Sequence, residues 1–190
     1  MAEHLRDAAT AATALGFLGT LWFAWASPHA ARLWRPLVWA LTAGAGVVTV
    51  VAGGTVARTW SGPTVLDAGA VSFYLLALAL HAGLFRLIAG YASRNGRATS
   101  VPVIVAVGTA LHGFLLAEAL QVPLLYHAAI AGVAVALTAG PVVRLVRGDG
   151  QAATGLATGL VLVVTAVALL VGGPAPPARA PPGGRAAPPP

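Results

Sequence analysis

Six apolar stretches run along this chain, each long enough to cross a bilayer and each closed by residues that favour turns. A helix rises about 1.5 Å per residue, so about 20 apolar residues span a hydrocarbon core of roughly 30 Å. The stretches fall at about 8–26, 36–57, 64–90, 101–120, 123–143 and 152–172. Ser27-Pro28, Ser61-Gly62-Pro63, Ser93-Arg94-Asn95-Gly96 and Gly148-Asp149-Gly150 supply four of the breaks. The fourth break is only Gln121-Val122-Pro123, which fits either a tight hairpin or one kinked element over 101–143. Apolar stretches of this length are expected to be membrane-spanning helices, whose side chains need no water where they face lipid. The expected fold is all-α: a polytopic transmembrane bundle over residues 1–172, with successive helices packed as antiparallel neighbours.

Only 8% of the residues are charged, against about a quarter in soluble domains. So few charges solvate a bundle only where lipid covers most of its surface. The basic residues number eleven and all are arginine, so a retinal Schiff base on lysine is excluded. Cysteine is absent, which excludes disulfides, thiolate metal sites and cysteine nucleophiles. The net charge of +6 does not indicate nucleic acid, because the arginines punctuate apolar segments instead of forming a basic run. The expected partner is the lipid bilayer, and nucleic acid is not expected.

Arginine placement also orients the chain. The first, third and fifth connections hold Arg32 and Arg35, Arg94 and Arg97, and Arg144 and Arg147; the second holds Arg58 and the fourth none. By the positive-inside rule the odd connections face the cytoplasm, and both termini of this cell-membrane protein lie outside. Trp22, Trp25, Trp34 and Trp39 then fall at the inner interface and Trp60 at the outer one. Ala24-Trp25-Ala26 has the form of a cleavage site, yet Glu3 and Asp7 beside Arg6 make no basic leader region. The first stretch is expected to stay as a span. Residues 173–190 are Gly, Pro and Ala with two arginines, a composition that predicts a disordered tail.

Helix association in lipid relies on small residues that let backbones approach. Three stripes offer them: Ala8, Ala12, Gly16, Thr20 and Ala24; Ala128, Gly132, Ala136 and Gly140; and Gly155 and Gly159 beside Thr154 and Thr158. They suit packing inside one bundle or a homo-oligomer. Gly44, Gly46, Gly53 and Gly54 lie within a span and are expected to be packing positions, not a phosphate loop.

Ionisable groups inside a membrane are costly, so each is a candidate for function. Asp67, Tyr74 and His81 recur at seven-residue spacing, which predicts one helical stripe. Helix-depth arithmetic sets His81 and His112 near mid-membrane, within roughly 7 Å of each other in depth. The same arithmetic allows Asp67, Glu118 and His127 to meet near the outer face. These six residues are the candidate ligand-binding set. Three chemistries suit them: a solute or small-ligand site within the bundle; haem ligated by His81 and His112 for electron transfer; or a histidine–carboxylate metal centre hydrolysing a membrane substrate. No His-x-x-x-His or His-Glu-x-x-His pair occurs, so no helix offers two ligands one turn apart. Isolated polar residues paired across helices would also account for the set.

The segment Arg32-Leu33-Trp34-Arg35-Pro36, followed by an Ala-rich helix ending Ala52-Gly53-Gly54-Thr55, resembles uncharacterised families of small prokaryotic multipass membrane proteins. Those families tend to carry a histidine just after Gly-Gly-Thr, where Val56-Ala57-Arg58 stands here. The resemblance covers about the first third of the chain and implies a bundle of six or seven helices with no assigned activity.

Overall fold

The structure, a computed structural model, describes residues 5–145 and 149–172. It contains six α-helices and, among the described residues, no strand. They are α1 (Leu5–Ala26), α2 (Arg35–Arg58), α3 (Ala68–Arg94), α4 (Val101–Leu120), α5 (Pro123–Leu145) and α6 (Gly150–Val171). Among the described residues, five are long and apolar enough to cross a membrane, and α5 carries a shorter apolar stretch, Pro123–Ala139. The expected tail, 173–190, lies outside the described residues.

Local chemistry sets the helix ends. Proline occupies the first turn of α2 and α4 and opens α5, where its missing N–H has no helical partner to lose. Asp67 caps α3 by accepting from the Ala70 N–H, and Asp149 caps α6 by accepting from Gln151 and Ala152. The 101–143 region is two helices, not one kinked element. After Leu120 the chain turns through Gln121 in the left-handed region (φ 51°), and the Val122 N–H returns 3.1 Å to the Ala117 carbonyl. That is the six-to-one bond of a Schellman turn, and the completely buried Val122 seals it. Gly96 (φ 73°) does the same after α3, with Arg97 N–H on the Ala92 carbonyl at 2.8 Å. Within the spans, the threonine hydroxyls of Thr13, Thr49, Thr109 and Thr165 donate to the carbonyl four residues back, which pairs these hydrogens inside their own helix.

α1 is the hub of the bundle, packed along α2 on one side and α6 on the other; α4 pairs with α5, and α5 with α6. Small residues make these approaches. A Cβ on Gly16 would meet Thr49 Oγ1 at 2.8 Å, and one on Gly19 would meet Val163 Cγ2 at 2.6 Å. Gly155 lies against Ala26, Gly159 against the Phe23 ring and Gly132 against Ala110. The α1, α5 and α6 stripes are thus engaged within the monomer, with Ala8, Ala12 and Ala136 fully buried. Gly44, Gly46 and Gly54 depart from expectation. A Cβ on any of them meets nothing within 4 Å, because α2 turns that face away from α1. Trp22 also departs: it is a core side chain, whereas Trp25, Trp34, Trp39 and Trp60 are exposed.

α2 and α3 break the expected chain of antiparallel neighbours. Among the described residues they make no substantial contact, and α3 leans on α4 and the short turn that precedes it. The reason lies in the connection between them. α3 begins at Ala68, four residues later than hydropathy suggests, because Thr64 and Val65 are tied to α1. Asp7, buried in the first turn of α1, accepts from the Thr64 hydroxyl and from the Val65 N–H at 3.0 Å. Beside it Arg6 donates to the Trp60 carbonyl at 2.7 Å and stacks over the Trp60 ring. This clasp holds the connection across the end of α1 and sets α3 apart from α2. At the other end of the bundle His29 and Asp149 approach to 3.7 Å, joining the first and fifth connections.

Candidate functional site: a cavity between α1, α3 and α4

α4 is the one α-helix that α3 packs on substantially among the described residues, and a cavity of about 380 Å³ remains between α1, α3 and α4. α3 contributes Tyr74 and His81, one above the other at seven-residue spacing, together with Phe85. α4 contributes His112, Gly108 and Thr109, and α1 contributes Ala14, Phe17 and Leu18. Gly108 is required where it stands: a Cβ there would meet the Phe85 ring at 2.7 Å, so its absence lets α3 and α4 come together at this level.

The polar wall is a connected cluster. The Tyr74 hydroxyl lies 2.6 Å from His112 Nε2. The His112 ring meets His81 at right angles with centroids 5.9 Å apart, and His81 stacks on Phe85 at 4.8 Å. His112 is 9% exposed. Two nitrogens, His81 Nε2 and His112 Nδ1, are buried with no hydrogen-bond partner. An unpaired buried group of this kind costs about 1–3 kcal/mol. A phenol is the better donor toward a neutral imidazole nitrogen. With Tyr74 donating to Nε2, the His112 proton resides on Nδ1, which becomes the donor in want of an acceptor.

The other three candidates lie elsewhere. Asp67 does not join the stripe, because it precedes the first helical residue and its carboxylate is occupied as the α3 cap, 2.6 Å from the Ala70 N–H. Glu118 accepts from the Tyr126 hydroxyl across the α4–α5 hairpin. His127 is exposed, with Nδ1 3.1 Å from the Pro123 carbonyl. Asp67, Glu118 and His127 therefore hold separate local partners, and among the described residues no three His, Cys, Asp or Glu side chains are grouped as a metal site would need. Asp7, not among the candidates, is the buried carboxylate of the bundle. It ties the connection before α3 to the first turn of α1. Its partners are 57 and 58 residues away, and only a Thr in the connection hints at them. No protein family, curated protein or solved structure matches the chain.

Proposed function

We propose that this protein is a multi-pass membrane protein that binds a small lipophilic ligand in the cavity between α1, α3 and α4. The observation that carries the reading is the pairing of an apolar cavity with an imidazole–phenol cluster at mid-span, two of whose nitrogens lack partners. Burying polar groups in a membrane costs free energy unless they are paired, and spare hydrogen-bonding capacity beside a cavity suits a ligand. The bundle is oriented with its arginine-bearing odd connections in the cytoplasm and both termini outside.

The test is a comparison of lipophiles that co-purify with the protein. Wild type and Ala82→Trp are purified in mild detergent, extracted with organic solvent and analysed by mass spectrometry. Ala82 lines the cavity and is exposed, so the indole fills the space without entering the core. A lipophile present with wild type and missing from the variant supports the reading; identical extracts refute it. A visible spectrum of the same samples tests the haem alternative, for which His81 and His112 stand with ring centroids 5.9 Å apart. A Soret band abolished by His81→Ala or His112→Ala would select haem.

A further inference from the structure

The geometry points to the class of ligand: a flat, neutral, conjugated lipophile carrying a carbonyl oxygen, as a quinone does, entering sideways from the bilayer. This deepens the ligand-binding reading above and rests on it. Five of the twelve lining residues present rings, namely Phe17, Tyr74, His81, Phe85 and His112. Three of the twelve, Phe17, Tyr74 and Phe85, are of the Phe, Trp and Tyr class that makes up 7% of the chain, so these rings are concentrated here. Ring faces favour a planar π partner over a saturated chain, by stacking and edge contacts. Among the described residues no charged side chain lines the space, so an ionic ligand would enter without a counter-charge in a medium where that is expensive.

Chemistry at the polar wall selects the functional group. No protein atom uses the hydrogen-bonding capacity of His81 Nε2 and His112 Nδ1, which are buried in the cavity wall; a turn of either imidazole that brings its nitrogen to the cavity surface offers that capacity to a ligand oxygen. With Tyr74 donating to His112, that capacity includes a donor, which calls for an acceptor such as a carbonyl. Depth narrows the class further. His81 stands midway along α3 and His112 midway along α4, so the head must reach the bilayer centre. Phospholipid headgroups stay at the interface, whereas a quinone head is apolar enough to cross. The route is lateral: Phe17 and Leu78 line the cavity and are both exposed on the lipid-facing surface, and α1 and α3 make no substantial contact that would close the gap.

The experiment titrates full-length protein in detergent micelles with menadione (2-methyl-1,4-naphthoquinone) by equilibrium dialysis, with 1-decanol as the saturated competitor. Menadione is expected to bind saturably at one site per chain. Ala82→Trp should abolish binding, His112→Phe should weaken it about tenfold through loss of one hydrogen bond, and 1-decanol should not displace it. Leu78→Trp serves as a second blocking variant, with helicity and thermal melting checked for each protein. If 1-decanol binds the cavity as well as menadione, and both are lost in Ala82→Trp, the quinone class is overturned while the ligand-binding reading stands. If menadione binding is absent, or survives both blocking variants, the proposal fails; if 1-decanol is then also insensitive to them, the ligand-binding reading fails with it.

Discussion

α1 and α3 have similar lengths and both are apolar enough to span a membrane, yet they are built for opposite surroundings. Half of the apolar 18-residue window of α1 is buried inside the bundle and none of that of α3 is. α1 buries Ala8, Ala11, Ala12, Gly16 and Gly19, and with them Leu15, Trp22 and Phe23. α3 points Leu76, Leu80 and Leu87 outward, each more than 60% exposed, and keeps Tyr74 and His81 for its single protein-facing side. In lipid, large aliphatic side chains gain nothing by leaving the hydrocarbon, and what drives a helix inward is close backbone approach or a polar group. α1 is drawn in by the first and α3 by the second. A helix held by one polar face and one neighbour leaves space beside it, and the cavity is that space.

The comparison breaks most sharply at glycine. Gly16→Leu in α1 is expected to destabilise the bundle by about 3 kcal/mol or more, since backbone as well as side-chain atoms of Thr49 stand within 3.3 Å of a new Cβ. Gly83→Leu in α3 meets nothing within 4 Å and should change stability by less than about 0.5 kcal/mol. Thermal melting in a fixed detergent measures both. Equal losses would mean that α3 is packed as α1 is.

The clasp that separates α3 from α2 comes next. Asp7→Ala removes a buried acceptor and leaves the Thr64 hydroxyl and Val65 N–H without their partner. We expect a loss of about 2–3 kcal/mol, since two donors are orphaned together. Asp67→Ala removes only the exposed cap of α3 and should cost about 1 kcal/mol. A larger effect at Asp67 than at Asp7 would return Asp67 to the functional stripe.

These two aspartates also mark how far the sequence could be read. Helix number and the breaks were legible because hydropathy over about 20 residues is a strong signal and proline and glycine mark the turns. His81 and His112 were legible as a pair because depth follows from a fixed rise per residue. Asp67 was misleading: a seven-residue spacing continues arithmetically past the helix start, and only the connection shows that the helix begins after it. Asp7 was illegible as a core residue. Its place near the chain start resembles a solvated end, and its partners lie across the bundle. α2 and α3 share a mean hydropathy of 1.8, so no apolar signal distinguished the helix that packs on α1 from the one that stands off. Gly44 and Gly54 carried the same small-residue signal as Gly16, but the face α2 presents depends on tertiary packing.

The smallest effect separates stability from binding most cleanly. His81 Nε2 is buried without a partner, so His81→Phe removes an unsatisfied group and keeps a ring to stack on Phe85. Replacing an unpaired buried polar group with an apolar one of similar shape is neutral or stabilising, here by up to about 1 kcal/mol. A residue whose removal stabilises the fold is kept for another reason, and functional sites commonly carry such a stability deficit. In α1 no such exchange exists, because its buried polar group, Asp7, is fully engaged. We expect His81→Phe to melt at or slightly above the wild-type temperature while menadione binding falls. A lower melting temperature would show that His81 holds α3 to α4 by a contact of its own, and the α3 face would then be structural in the same sense as the glycine face of α1.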